Sequence, residues 1–402
     1  MRNSYIYNGF NTTDLIKALL NLSVNIDYIS ILVSNFNQKK SSFPKDYFNY
    51  DIIAGIGKMD CLVSNKDSFE ELKKFHNQKK DWLFGYLSYD LKNEIEELSS
   101  KNTDNFNADN LSFFVPQYVL LLNNGVLEVQ TYHSKDSCDQ FIHAFDSSDL
   151  PSYNNKVHLI RGNNKKSYLQ NIKAIKKHIQ KGDIYEMNYC QEFYAIDVKI
   201  VAESIFLALN DKMKTPFSSF LRIKDKYVMS ASPERFLRKK STHILSQPIK
   251  GTRARGGSKL EDNKLINELN ESSKDISENV MIADLVRNDL SITAKKKSVK
   301  VDELCKVYSF NKVHQMITSI SSEIDTSVSF TDVLEAAFPM GSMTGAPKVR
   351  AMELIESYEE FKRGVFSGAV GYISPNTDFD FSVVIRTILY NLENNYLSIG
   401  VG

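Results

Sequence analysis

Lys250 stands in Pro248-Ile249-Lys250-Gly251-Thr252, closing a strand-like run between an apolar residue and a glycine. A lysine in water is a solvated charge, but one drawn partly out of it loses its proton more easily and becomes a nucleophile. Gly251 would let a ligand come close to the backbone. Glu234, in Ser232-Pro233-Glu234-Arg235-Phe236, closes another strand, and its simplest role is a turn carboxylate paired with a neighbouring arginine. Asp275 and Glu278 are three apart in a helical stretch and share one face. Such a pair is either a solvent-facing stripe or two oxygen donors for a hard cation such as Mg²⁺. Arg386 lies in Phe381 to Leu389, a run apolar on both alternating faces, with Val384 and Ile388 on its own face. A guanidinium there calls for a partner, an internal carboxylate or that of a ligand.

The glycine-rich segment from Pro339 to Lys348 contains Gly341, Thr344 and Gly345 and leads into a helix. It is either an anion site built from backbone N–H groups and hydroxyls or a tight turn. Three residues separate its glycines and Ala-Pro-Lys follows, so it is not a Walker A loop. A carboxylate suits it better than a nucleotide. Cys61, Cys138, Cys190 and Cys305 are widely spaced, with no Cys-x-x-Cys pair, and read as reduced thiols.

The elements that must position these residues follow from the apolar spacing. Leu169, Ile172, Ile175 and Ile179 predict a helix opening at Ser167 and stopping at Gly182. Helices are also expected over Asp275 to Asn288 and from Pro347 through Ile355. Strands are expected over Tyr28 to Val33, Trp82 to Tyr86, Tyr118 to Leu122, Glu186 to Phe193 and Tyr227 to Ala231. Further strands are expected over Ile244 to Ile249, His314 to Ile320, Val365 to Ile373 and Phe381 to Tyr390. Many strands and several helices without strict alternation argue for an α+β fold with mainly antiparallel sheets. The polar stretch Ser147 to Asn155 divides the chain into an N-terminal region, 1–150, and a region bearing the candidate chemistry, 156–402.

Of 402 residues 42% are apolar and 25% charged, an ordinary globular composition. The formal net charge of +1 gives no broad attraction for nucleic acid or an anionic membrane. No apolar run approaches the roughly 20 residues of a membrane helix, and the start has no secretory core. A cytoplasmic enzyme acting on a small molecule is the expectation.

In this order, several segments resemble the chorismate-utilising enzymes, the family of component I of anthranilate synthase and aminodeoxychorismate synthase. They are Gly182-Asp183-Ile184-Tyr185-Glu186, Ser232-Pro233-Glu234, Pro248 to Arg253, Asp284 to Leu290 and Phe338 to Lys348. Arg363 to Gly368, Ile385-Arg386-Thr387 and Gly400-Val401-Gly402 complete the series, and Gly85 to Asp90 resembles the N-terminal part of the aminodeoxychorismate branch. The resemblance implies an α+β fold of large antiparallel sheets packed orthogonally, with helices around them. Where anthranilate synthases resemble Pro-Ile-Ala-Gly-Thr, this chain has Lys250, as the aminodeoxychorismate branch does.

For that branch the resemblance implies that Lys250 attacks C2 of chorismate while Glu234 protonates the departing C4 hydroxyl. Ammonia from a separate glutamine amidotransferase then adds at C4 and expels the lysine. The product is 4-amino-4-deoxychorismate, the precursor of 4-aminobenzoate and folate. It further implies substrate contacts at Gly251, Thr252, His314, Thr344, Arg386, Gly400 and Gly402, and Mg²⁺ at Glu278 with Asp275 beside it. Glu186 stands where isochorismate and salicylate synthases have a lysine base, which argues against water addition. Phe366 replaces a substrate-contacting tyrosine. Ile31 to Ser34 and Pro216 to Ser218 replace sequences associated with tryptophan binding, so feedback by tryptophan is not expected. The family pattern continues past the position of Gly402 into further acidic Mg²⁺ ligands. An incomplete metal site is therefore expected, and a truncated, inactive chorismate-binding chain is one alternative. Anthranilate synthase component I is the other.

Overall fold

A computed structural model describes residues 1–35, 43–44, 49–151 and 156–402. Apolar runs too continuous for a one-sided strand set the architecture. In the strand Tyr118–Asn123, Val119 and Leu121 face one core while Leu120 and Leu122 face another. The period of two in a strand sends neighbours to opposite faces, so a run apolar at every position needs cover on both. One face packs against the second sheet. The other packs under helices Thr12–Ser23 and Ala202–Met213 through Leu15, Leu19 and Phe206. Each such leucine contributes about 1.5–3 kcal/mol on leaving water.

Among the described residues the larger sheet has eleven strands and the second ten, and every pairing within them is antiparallel. Both draw on both halves of the chain. Tyr28–Val33 pairs with Phe217–Ile223 in the register Ile31↔Phe220, and Leu83–Leu87 pairs with Ala369–Ile373 in the register Gly85↔Gly371. The expected α+β class with large antiparallel sheets is what the chain adopts. Of the stretch expected to separate the two regions, residues 152–155 lie outside the described residues, and the regions on either side share both sheets. No helix among the described residues is long and apolar enough to cross a membrane.

Three departures from the expected elements matter for the site. The first helix runs Lys165–Lys181 because Asn164, not Ser167, is its cap: the Asn164 side chain accepts from the Ser167 amide at 2.9 Å. The run from Glu186 to Phe193 is two strands, Glu186–Met187 and Gln191–Ala195. Pro248, lacking an N–H, separates strands His243–Gln247 and Ile249–Ala254, so Lys250 is the second residue of a new strand instead of ending one.

Candidate active site

Strand Ile249–Ala254 pairs with Val313–Glu323, and the register slips between Ile249 and Thr252. Gly251 sits in that bulge at φ +89°, a conformation side chains resist, and an added Cβ would lie 3.0 Å from both Asp275 Cβ and Leu269 Cδ1. Asn279, on helix Ser273–Ser291, donates to the Met316 carbonyl at 3.1 Å and to that of Lys250 at 3.4 Å. The segment is thereby held with Lys250 at the wall of a cavity of about 370 Å³.

Glu234, Gly251, Thr252, Arg386, Gly400 and Gly402 line the same cavity, so most of the expected site residues meet there. Glu234 is buried, and burial pushes its carboxyl up to about 7 against the pull of the Lys250 and Arg386 charges. Arg235 is not its partner: that guanidinium is engaged by Asp380 at 2.9 Å and by Gln247. Arg386 is not on a strand. It lies where the chain crosses from strand Phe379–Val383 of one sheet to Thr387–Asn391 of the other, at φ +52°. Neither an ion pair nor a side-chain hydrogen bond holds its half-buried guanidinium among the described residues, and burial lowers its proton affinity. A half-buried cation without such a partner, at a strained backbone position, is suited to an anionic ligand.

Gly400 and Gly402 are required by close packing. A Cβ on Gly400 would stand 2.4 Å from the Phe366 ring, and one on Gly402 2.4 Å from Asn188 Oδ1 and 2.6 Å from Cys190 Sγ. Cys190 itself is buried, and burial raises its thiol to about 12, so it is an inert neighbour.

Four expected residues lie elsewhere. His314 is fully buried with its ring between Ser309 Oγ and Asp262 Oδ1, each at 2.8 Å. Adjacent residues on a strand face opposite ways, so Gln315 lines the cavity in its place. Thr344 is also fully buried, its hydroxyl turned to the carbonyls of Met340 and Gly341, and Ser342 and Met343 face the cavity from that loop. The helix after it, Lys348–Tyr358, offers no free lysine, since Lys348 pairs with Asp289 at 2.7 Å.

Asp275 is ion-paired with Arg253 at 2.7 Å, and Glu278 with Lys274 at 3.6 Å. Among the described residues no three His, Cys, Asp or Glu side chains gather as metal ligands. With Asp275 and Glu278 each engaged by a cation, the described residues do not by themselves fit a Mg²⁺ site.

Sequence reasoning missed Gln315, Asn188, Ser342 and the partner of Lys250, which is Glu186: the lysine Nζ donates to Glu186 Oε1. Only strand alternation gave a signal for Gln315. The segments Leu32 to Ser34 and Pro216 to Ser218 line a separate cavity of about 60 Å³ between the sheets.

A model of the family described as chorismate binding enzyme matches residues 43–402. Aminodeoxychorismate synthase component 1 of Salmonella typhimurium is 33% identical over 320 residues, 79% of this chain and 70% of that protein. Its Escherichia coli counterpart is 40% identical over 224 residues, 56% of this chain and 49% of that protein. The crystal structure of anthranilate synthase component I from Streptococcus pneumoniae superposes with a TM-score of 0.74 at 22% identity, covering 93% of this chain and 86% of that one. With a carboxylic acid, a lysine and an unpaired arginine around one cavity, and that match over most of its length, the chain belongs to the chorismate binding enzyme family.

Proposed function

We propose that the chain is an aminodeoxychorismate synthase component, converting chorismate and ammonia to 4-amino-4-deoxychorismate on the route to 4-aminobenzoate and folate. The observation that carries this reading is the placement of Lys250, a Glu234 carboxyl raised to about 7, and Arg386 around one cavity. Arg386 receives a carboxylate of chorismate. The neutral Lys250 amine forms a bond to C2 as both ring double bonds shift by one position and the C4–O bond breaks. Hydroxide is a poor leaving group, so Glu234 supplies a proton and water departs. Ammonia then bonds to C4, both double bonds shift back, and the C2–N bond breaks to release Lys250. Glu234, now a carboxylate, takes the surplus proton from the new C4 nitrogen. One difficult substitution thereby becomes two easier ones.

In this reading a glutamine amidotransferase supplies the ammonia, a second component in keeping with the relatives' names, and the reaction takes place in the cytoplasm. The test is incubation with chorismate and ammonium salt, followed by product identification. 4-Amino-4-deoxychorismate is expected, with a chorismate-derived mass on the protein that is lost in Lys250→Ala. Anthranilate formed without an added lyase would overturn the reading, as would unchanged turnover by the lysine variant.

A further inference from the structure

The residue touching Lys250 is a carboxylate with one oxygen to spare. Strand Glu186–Met187 pairs with Gly345–Ala346 in the register Glu186↔Ala346, Met187↔Gly345. The approach is close: a Cβ on Gly345, which has φ +153°, would lie 2.2 Å from the Glu186 carbonyl oxygen. The glycine-rich loop thus holds the Glu186 strand beside Lys250. Glu186 Oε1 accepts from Lys250 Nζ, and both side chains are 15% exposed. Among the described residues Glu186 Oε2 is buried without a hydrogen-bond partner.

We propose that Glu186 is the proton acceptor for Lys250. This rests on the reading of Lys250 as the nucleophile. A lysine that attacks carbon must first lose a proton, and the group touching its nitrogen is this carboxylate. Among the described residues Glu186 is hydrogen-bonded through one oxygen only, which leaves the other open to take the proton. Passing the proton from Nζ to Glu186 also converts two half-buried charges into two neutral groups, which burial favours.

The balance closes. The Lys250 ammonium gives one proton to Glu186, and the neutral amine bonds to C2 while Glu234 protonates the departing C4 hydroxyl. The nitrogen on C2 is then a secondary ammonium. Attack of ammonia at C4 expels it as the neutral Lys250 amine, which recovers its proton from Glu186. Glu234 regains its own from the new C4 ammonium.

Other titratable and charged groups face this pair. Glu234 and Arg386 line the same cavity as Lys250, and Cys190, whose amide donates to Glu359, adjoins the Glu359–Arg363 ion pair. The Asp275–Arg253 pair flanks Gly251. Because Glu234 alters any pH profile, the useful quantity is the ratio of a variant's rate to that of the unaltered protein.

The experiment withholds ammonia and follows the chorismate adduct by quenched intact-mass measurement between pH 6 and 9, for the unaltered chain, Glu186→Gln and Glu186→Asp. The amide variant is expected to form adduct about a hundredfold more slowly near pH 6.5. Its ratio should then climb about tenfold per pH unit as the lysine loses its proton to solvent. The aspartate variant should show a lowered ratio that does not change with pH. A Glu186→Gln ratio that is constant with pH would make Glu186 a positioning residue, and a ratio above one would make it a brake; either overturns the proposal. If Glu186→Gln does not fold, a pH-dependent ratio for Glu186→Asp overturns it. Absence of adduct in the unaltered protein sinks the Lys250 reading, and this one with it.

Discussion

Glu234 shows how one environment serves two states of a residue. Burial makes its acid form available near neutrality, and the Lys250 and Arg386 charges keep its carboxylate form tolerable once the proton is gone. Glu234→Gln cannot give up a proton, and kcat should fall by roughly 10²–10⁴ in steady-state assays. Near-normal turnover would remove Glu234 from the chemistry. The same residue makes a stability prediction. Its carboxyl is raised in the fold to about 7 from an ordinary 4.5, so the folded state binds the proton more tightly than the unfolded one. The stability this gives is complete below the unfolded pKa and is lost as pH rises through the folded one. Glu234→Gln does not titrate, so its stability relative to the unaltered protein should improve between pH 5 and 8, by up to ~3 kcal/mol in denaturant melts. A difference independent of pH would mean that the carboxyl is not raised.

At the scale of elements, the site depends on irregularities in otherwise regular strands. Pro248 breaks one strand, Gly251 bulges the next, and Arg386 sits in a left-handed turn between sheets. Each re-aims a side chain that a continuous ladder would have placed differently. Gly251→Ala combines a positive φ with a Cβ only 3.0 Å from its neighbours. The φ alone costs about 1–2 kcal/mol. A lower melting temperature is expected, together with slower adduct formation at Lys250 because the bulge shifts. An alanine variant with unchanged melting and adduct rate would show that the bulge does not place the lysine. His314 and Gln315 teach the same lesson by one residue: the histidine was the more noticeable type, but strand alternation gave the cavity to the glutamine.

At the scale of the molecule, both sheets are assembled from strands of both halves of the chain. Neither half holds a complete sheet to bury its apolar faces, so the two should unfold together. Trp82, the single tryptophan, is buried in the core that the two sheets share. Its fluorescence and the far-UV circular dichroism should report one coincident transition in urea. Two separated transitions would show that the halves are independent units.

What the sequence by itself determined was local chemistry and local periodicity. Ordered motifs gave the family and, with it, the role of Glu234; many strands and several helices without strict alternation gave an α+β architecture of antiparallel sheets; and Lys250 and Arg386 were legible because their types are unusual where they stand. The tertiary structure alone decided which groups meet. Glu186 and Lys250 are 64 positions apart, and nothing in either segment encodes their contact. It arises from a two-residue strand docked on the glycine-rich loop and a bulge at Gly251, that is, from long-range pairing. The same dependence turned Thr344 and His314 inward and engaged Asp275 with Arg253. Residue type limits what a side chain can do, but the pleat, the bulge and the crossing between sheets decide what it faces.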